Sequence, residues 1–334
     1  MSTPTLSETL VTLAEIEAAA ARIRPVARVT PILEVPYPAS EARKHGGEGS
    51  LLLKCENLQP MGAFKIRGAY NMISQLTAEE RHRGVITYSS GNHGQAVALA
   101  ARELGTPAVI VMPTTAPKVK VDGARRYGAE VTFAGTTSID RKVRAEEIAA
   151  QRNLVIVPPF DHPMIIAGQG TVALEILEQR PDVATVLVEV GGGGLSSGVS
   201  AAIKRRAPHV RVIGVEPDGA PKMKRSLEAG QPVTLEKTSS IADGLLTIRP
   251  GDLTFEHVRA FVDEMVTVSD EAMTRAVRWL YLNARLVVEP SGAVTTAALM
   301  EGLGHVDRSR GPVVAIVSGG NVEPAKYAQY ITTE

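Results

Sequence analysis

Cysteine is nearly absent: Cys55 stands alone among 334 residues. An internal disulfide is therefore excluded, and a reducing compartment suits the chain. Net charge is absent too. The 36 basic and 36 acidic side chains cancel, so nothing electrostatic draws the chain to nucleic acid or to an anionic membrane. No run of about 18 apolar residues occurs, which leaves no spanning helix to propose. The first ten residues are polar and lack the apolar core of a signal peptide, so the expected location is cytoplasmic. The seven histidines form no H-E-x-x-H or comparable cluster, which argues against a metallohydrolase. The G-x-G-x-x-G fingerprint is missing as well. Counted from Gly191 or Gly192, the sixth position is Ser196 or Ser197. A dinucleotide-binding dehydrogenase is disfavoured on that ground, even though Glu216 ends the following strand-like run where a ribose-binding acid would stand.

What is present is an ordinary soluble composition, 44% hydrophobic and 22% charged, with length enough for a large core in two lobes. Thr12 and Glu15 form a capping-box pattern before an Ala-rich helix that runs to about Arg24. Strand-like runs cover residues 51–54, 85–88, 108–112, 131–133, 154–157, 185–190, 210–215 and 313–317. Helical patterns lie between most of them, at 118–127, 138–152, 170–179 and 195–206. This is the βαβ rhythm of parallel sheets covered by helices. The proline-rich stretch 158–163 breaks it and marks a crossing between lobes. Cys55, in an apolar strand, reads as a small core residue.

Three segments carry chemistry. In GAFKIRGA, residues 62–69, Lys65 sits in an apolar setting after a turn, where a helix starts. A poorly hydrated lysine loses its proton easily, which suits Schiff-base formation with a carbonyl. Most lysines are solvated surface charges, so this segment alone decides little. Ser89–Ser90–Gly91–Asn92–His93–Gly94 joins a strand to an Ala-rich helix. Its free N–H groups and the helix dipole favour an anion such as a substrate carboxylate. A plain capped turn is the simpler account, with His93 a satisfied turn histidine. Gly191, Gly192, Gly193 and Gly194 follow a buried strand and precede a helix. There a glycine backbone can wrap a phosphate.

Together these segments resemble the fold-type II pyridoxal-phosphate enzymes of the threonine/serine dehydratase and serine racemase family. The likeness runs from about Ala27 to Tyr330. It includes KCENLQP (54–60), GAFKIRGAYN (62–71), SSGNHGQ (89–95), AGQGT (167–171), GGGGL (191–195), IADG (241–244), VEPSGA (288–293) and SGGN (318–321). The resemblance implies a two-domain α/β fold, tryptophan synthase beta-like, with the cofactor in the interdomain cleft. Residues 78–158 would form a small domain, and 1–77 with 159–334 a large one. It implies that Lys65 bears the cofactor and acts as base on Cα, with Phe64 near the ring. Asn92 would bond the ring hydroxyl. Gly191 to Gly194 and the Leu195 amide would hold the phosphate. Ser318 would stand opposite the pyridine nitrogen, with Glu289 nearby. Ser89, Ser90, Asn92 and His93 would meet the substrate. A homodimer is the family expectation.

The expected reaction is release of ammonia and a 2-oxo acid from L-threonine or L-serine. A serine at position 318 does not force the ring nitrogen to carry a proton, and this suits rapid β-elimination. Ser90 keeps open a serine or aspartate racemase, since in the family's racemases this serine faces the lysine across the cofactor. A dehydratase of 3-hydroxyaspartate or phenylserine is a further alternative. A non-catalytic binding protein on the same fold is disfavoured by intact Lys65, Ser90, Asn92 and Ser318. Glu216 and the Ala220 carbonyl resemble ligands of the family's divalent-cation site. Lys222 stands where another acid is expected, and an ammonium there repels a metal. Lys222 is accordingly expected to pair with Glu216 and take the metal's place, unless both are surface charges.

Overall fold

The computed structural model describes residues 10–36, 50–89, 91–116 and 118–332. Its strands, in chain order, are β1 (Ile32–Pro36), β2 (Ser50–Lys54), β3 (Val85–Tyr88), β4 (Ala108–Met112), β5 (Glu130–Phe133), β6 (Val155–Ile156), β7 (Thr185–Glu189), β8 (Arg211–Pro217), β9 (Glu264–Val268) and β10 (Val313–Ile316). They form a six-stranded sheet ordered β1-β2-β10-β7-β8-β9 and a four-stranded sheet ordered β5-β4-β3-β6. Every pairing is parallel except β1 with β2. The α/β expectation holds. Strands covered by helices on both faces need continuous apolar runs rather than alternation. β4, β7 and β10 are buried along their whole length for that reason.

The order of the large sheet places its functional end. β10, near the C-terminus, lies between β2 and β7. The chain segments leaving β2, β7 and β10 are thereby gathered beside one another, where open parallel sheets bind ligands. In the small sheet β3 lies between β4 and β6, so the segment after Tyr88 leaves from a similar point.

Three helices set the distance between the sheets. Ile66–Ile73 packs on Pro163–Gln179, which packs on Gly194–Arg206. Backbones touch at both crossings. A Cβ on Gly168 would lie 2.6 Å from the Gly68 Cα, and one on Gly198 would lie 2.3 Å from the Ile166 carbonyl oxygen. A buried ionic cluster ties the same elements. Arg67 donates to Glu56 and Glu175, Lys54 also meets Glu175, and Arg67, Glu56 and Lys54 are fully buried. Burial alone would raise the Glu56 carboxyl, but the Arg67 guanidinium holds it below its ordinary value.

Several boundaries differ from the sequence reading. The helix expected at 170–179 begins at Pro163. The proline stretch does break the chain, but His162 accepts the Met164 amide and Pro163 fills the first helical position, where no N–H is needed. Cys55 lies just past β2 rather than within it. It is buried, which pushes its thiol up to about 12. β1 and β9, both at sheet edges, were not expected as strands.

Candidate active site

Lys65 precedes the helix Ile66–Ile73. Its Nζ donates to the Pro159 carbonyl at 2.7 Å and lies 5.2 Å from the centre of the Phe64 ring. Burial lowers the amine to about 8. Pro159 belongs to the proline-rich stretch 158–163, so that stretch lies against the lysine.

A short backbone zipper brings the distant motifs to Lys65. Ala63 bridges Gly319, the Phe64 amide donates to Ser318 O at 3.0 Å, and the Gly320 amide to Gly62 O at 2.9 Å. Gly62 has φ +79°, and a Cβ on it would meet Asn321 Oδ1 at 2.6 Å. The Glu289 amide then donates to Gly319 O at 3.1 Å. Side chains continue the link. Asn92 Nδ2 donates to Glu289 Oε1 at 2.5 Å, and Asn321 Nδ2 donates to Asn92 Oδ1 at 2.8 Å. Glu289 is buried, and burial raises its carboxyl to about 8, with the negative charge of Asp243 adding to the effect. Lys65, Phe64, Asn92, Glu289 and Ser318 therefore belong to one constellation.

The glycine loop leads from β7 into the helix Gly194–Arg206, whose first turn holds Gly194 and Leu195. The first N–H groups of a helix have no acceptor within it. Gly193 has φ +102°, and a Cβ on Gly192 would lie 2.3 Å from the Phe160 ring. The loop is pinned from behind: Thr254 Oγ1 donates to Gly192 O at 2.7 Å. This is a rigid cradle of bare backbone at a helix N-terminus, which fits a phosphate. With a partly desolvated lysine bonded to Pro159, next in sequence to the Phe160 that backs the loop, the residues fit pyridoxal phosphate.

Other expected site residues fare differently. Ser90 lies outside the described residues. Ser89 Oγ accepts the Gly91 amide at 3.2 Å. His93 is turned inward at 3% exposure. Its Nε2 lies 3.1 Å from Val157 O, and burial pushes the ring down to about 3. The ring is an uncharged part of the core, which departs from the expected substrate contact.

The expected cation site is filled by the chain itself. Lys222 Nζ lies 3.0 Å from Glu216 Oε1, 2.9 Å from Val190 O, 3.1 Å from Leu245 O and 3.2 Å from Ala220 O. Lys222 and Glu216 are fully buried, so the reading of both as surface charges is corrected. Glu216 also accepts the Met223 and Lys224 amides, each at 2.9 Å. An ammonium already among these oxygens does not fit a divalent ion there. No cluster of three or more His, Cys, Asp or Glu able to hold a metal occurs among the described residues.

Thr254, Asn321 and Pro159 were not assigned from sequence. Asn321 closes the SGGN motif and could have been read there. Pro159 acts through its carbonyl, which no side-chain pattern reveals.

An α/β fold with a lysine, a glycine cradle and an Asn–Glu pair meeting at strand ends defines a cofactor-dependent enzyme. Residues 23–319 match the family described as pyridoxal-phosphate dependent enzyme, and the chain belongs to it. It is 45% identical over 314 residues to the L-threonine ammonia-lyase of Thermotoga maritima, covering 94% of this chain and 76% of that protein. It is 39% identical to the serine racemase of Schizosaccharomyces pombe, covering 98% of this chain and all of that protein. It spans only 58% of the biosynthetic L-threonine dehydratase of Haemophilus influenzae, at 41% identity and 90% of this chain. Among solved structures, maize serine racemase superposes with a TM-score of 0.88 at 38% identity, covering 96% of each chain.

Proposed function

We propose that this chain is a pyridoxal 5'-phosphate-dependent dehydratase (an ammonia-lyase) converting L-threonine or L-serine to a 2-oxo acid and ammonia. The observation that supports the reading is the zipper of residues 62–64 with 318–320, which joins the segment just before Lys65 to Ser318, while Asn92 bonds Glu289. The threonine ammonia-lyase relatives support it. Lys65 would bear the cofactor, the glycine loop and Leu195 amide its phosphate, Asn92 its ring hydroxyl and Ser318 its ring nitrogen. Phe64 and Glu289 would flank the ring. When bound, the cofactor supplies an electron sink for the pair left on Cα. The chain's own residues orient the substrate and move its proton. The Lys65 amine, lowered to about 8, releases its proton more readily than an exposed lysine and can take the Cα proton. Ser89, Ser90, Asn92 and the backbone at His93 would receive the substrate carboxylate at the helix N-terminus.

A second reading, a serine or aspartate racemase, is favoured by Ser90 and by the serine racemase relatives. A dehydratase of 3-hydroxyaspartate or phenylserine would keep the same chemistry on another side chain. We propose further that Lys222 serves in place of a divalent cation. Residues 78–158 would form the small domain, since β3 to β6 fall within that range. The assembly would be a cytoplasmic homodimer, with no nucleic-acid or membrane partner. The balanced charge supports the absence of a polyanionic partner, and no helix among the described residues is long and apolar enough to cross a membrane.

The test is 2-oxo acid release by cofactor-loaded protein offered L-threonine and L-serine separately. Formation of 2-oxobutyrate or pyruvate supports the dehydratase. Inversion of serine or aspartate with no oxo acid transfers the assignment to the racemase. Lys65→Ala is expected to abolish turnover and the visible absorbance of bound cofactor, and near-normal activity would remove Lys65 from its role. Ser90→Ala is expected to spare elimination from the L-isomer and remove reaction of the D-isomer. Equal loss on both would confine Ser90 to holding the carboxylate.

A further inference from the structure

Glu189 ends the strand Thr185–Glu189 and is its acidic member. It is 3% exposed and lies between the fully buried Val188 and Val190. Oε1 accepts the Ser318 amide at 3.1 Å. Oε2 has no hydrogen-bond partner among the described residues. A buried carboxyl with an orphaned oxygen is costly, and an apolar side chain would avoid the cost. A polar ligand atom that completes the group accounts for its presence.

Placement selects that atom. β10 runs beside β7 with Ala315 opposite Leu187, so Ser318 and Glu189 share one end of the sheet. Ser318 passes its carbonyl to the Phe64 amide, next to Lys65. The glycine cradle starts at Gly191, just past Glu189. The carboxyl is thus bonded to the residue assigned to the ring nitrogen, and its chain position lies two residues before the proposed phosphate loop.

We propose that Glu189, together with Ser318, faces the ring nitrogen of the bound cofactor and gives it a proton. The inference rests on the pyridoxal-phosphate reading above. In the step the carboxyl O–H bond breaks, a ring N–H bond forms, and a carboxylate–pyridinium pair replaces two neutral groups. Burial raises the Glu189 carboxyl well above its ordinary value, which favours its protonated form in the folded chain. A protonated ring nitrogen makes a fuller electron sink than a serine alone provides.

The test uses cofactor isotopically labelled at the ring nitrogen, with NMR of unmodified holoenzyme and of Glu189→Gln. The unmodified protein is expected to show a protonated nitrogen and Glu189→Gln an unprotonated one. The same nitrogen signal in both overturns the proposal. A second measurement needs no variant. Unmodified apo protein is titrated with pyridoxal phosphate and with its analogue bearing C–H in place of the ring nitrogen. The analogue is expected to bind at least about tenfold more weakly, and equal affinity overturns the proposal. If neither compound binds, the cofactor reading itself falls. If the cofactor binds and the nitrogen signal ignores Glu189, only this assignment falls.

Discussion

Glu289 shows how a single buried acid shapes the site. Its carboxyl is raised to about 8 from an ordinary 4.5, so the folded chain keeps a proton that the unfolded chain loses. A raised acid contributes stability that is full below the unfolded value and is lost as pH climbs through the folded one. Between pH 4.5 and about 8 this group therefore makes apo protein less stable as pH rises. Glu289→Gln removes the titration. Its melting temperature is expected to fall less than that of unmodified apo protein between pH 5 and pH 8, as read by calorimetry. An equal fall in both would show that Glu289 does not titrate in that window. At this scale the sequence was partly legible. The glycines stand out by type and neighbours, and Lys65 gains its meaning only beside them and the segment 89–94. Glu189, an acid inside an apolar strand, carried the same kind of signal, but its meaning depends on Ser318 meeting it across the sheet.

The helices that hold the site are joined by contacts that leave no room for a methyl group. Gly198→Ala would push a Cβ against the Ile166 carbonyl, which is backbone and cannot swing aside. Overpacking of this kind costs typically ~1–3 kcal/mol. A lowered denaturation midpoint is expected, along with weaker cofactor retention, because the helix Gly194–Arg206 carries the cradle. The ionic cluster makes a second prediction. Arg67→Met leaves Glu56 and Glu175 without their guanidinium, and breaking a buried pair costs about 3–5 kcal/mol. Urea unfolding of apo protein reads that loss, and a change below ~1 kcal/mol would show that the cluster contributes little. Core strands were readable because burial on both faces enforces continuous apolar runs. The edge strands β1 and β9 are only partly buried, so their sequences carry a weaker pattern. The start of the helix Pro163–Gln179 was hidden by Pro163, which read as part of the break although it fills the first helical position.

At the scale of the whole molecule, two sheets are bridged by side chains as well as by helices. Lys120, from the helix Lys118–Arg126 beside the small sheet, pairs with Asp243, which opens the 3-10 turn Asp243–Leu245 between β8 and β9. Asp243 also bears on Glu289. Lys120→Ala is expected to raise KM more than it lowers kcat, since an ion pair more than half exposed on one side contributes little to folding. Steady-state kinetics on L-threonine decides it, and unchanged KM would confine the pair to the surface. None of this was visible in sequence, because residues 120 and 243 meet only through the fold.

Lys222 has a consequence for how such a protein meets its surroundings. A dissolved ion occupies its site only as far as its concentration allows, and chelation or dilution empties it. A cation carried on a side chain cannot diffuse away, and its local concentration is set by the chain that bears it. Activity and melting temperature are therefore expected to ignore both EDTA and added magnesium, while Lys222→Met loses stability by about 3–5 kcal/mol through the stranded Glu216. Chelator sensitivity in unmodified protein would refute the substitution. On that proposal, a variable of the environment would be written into the covalent chain.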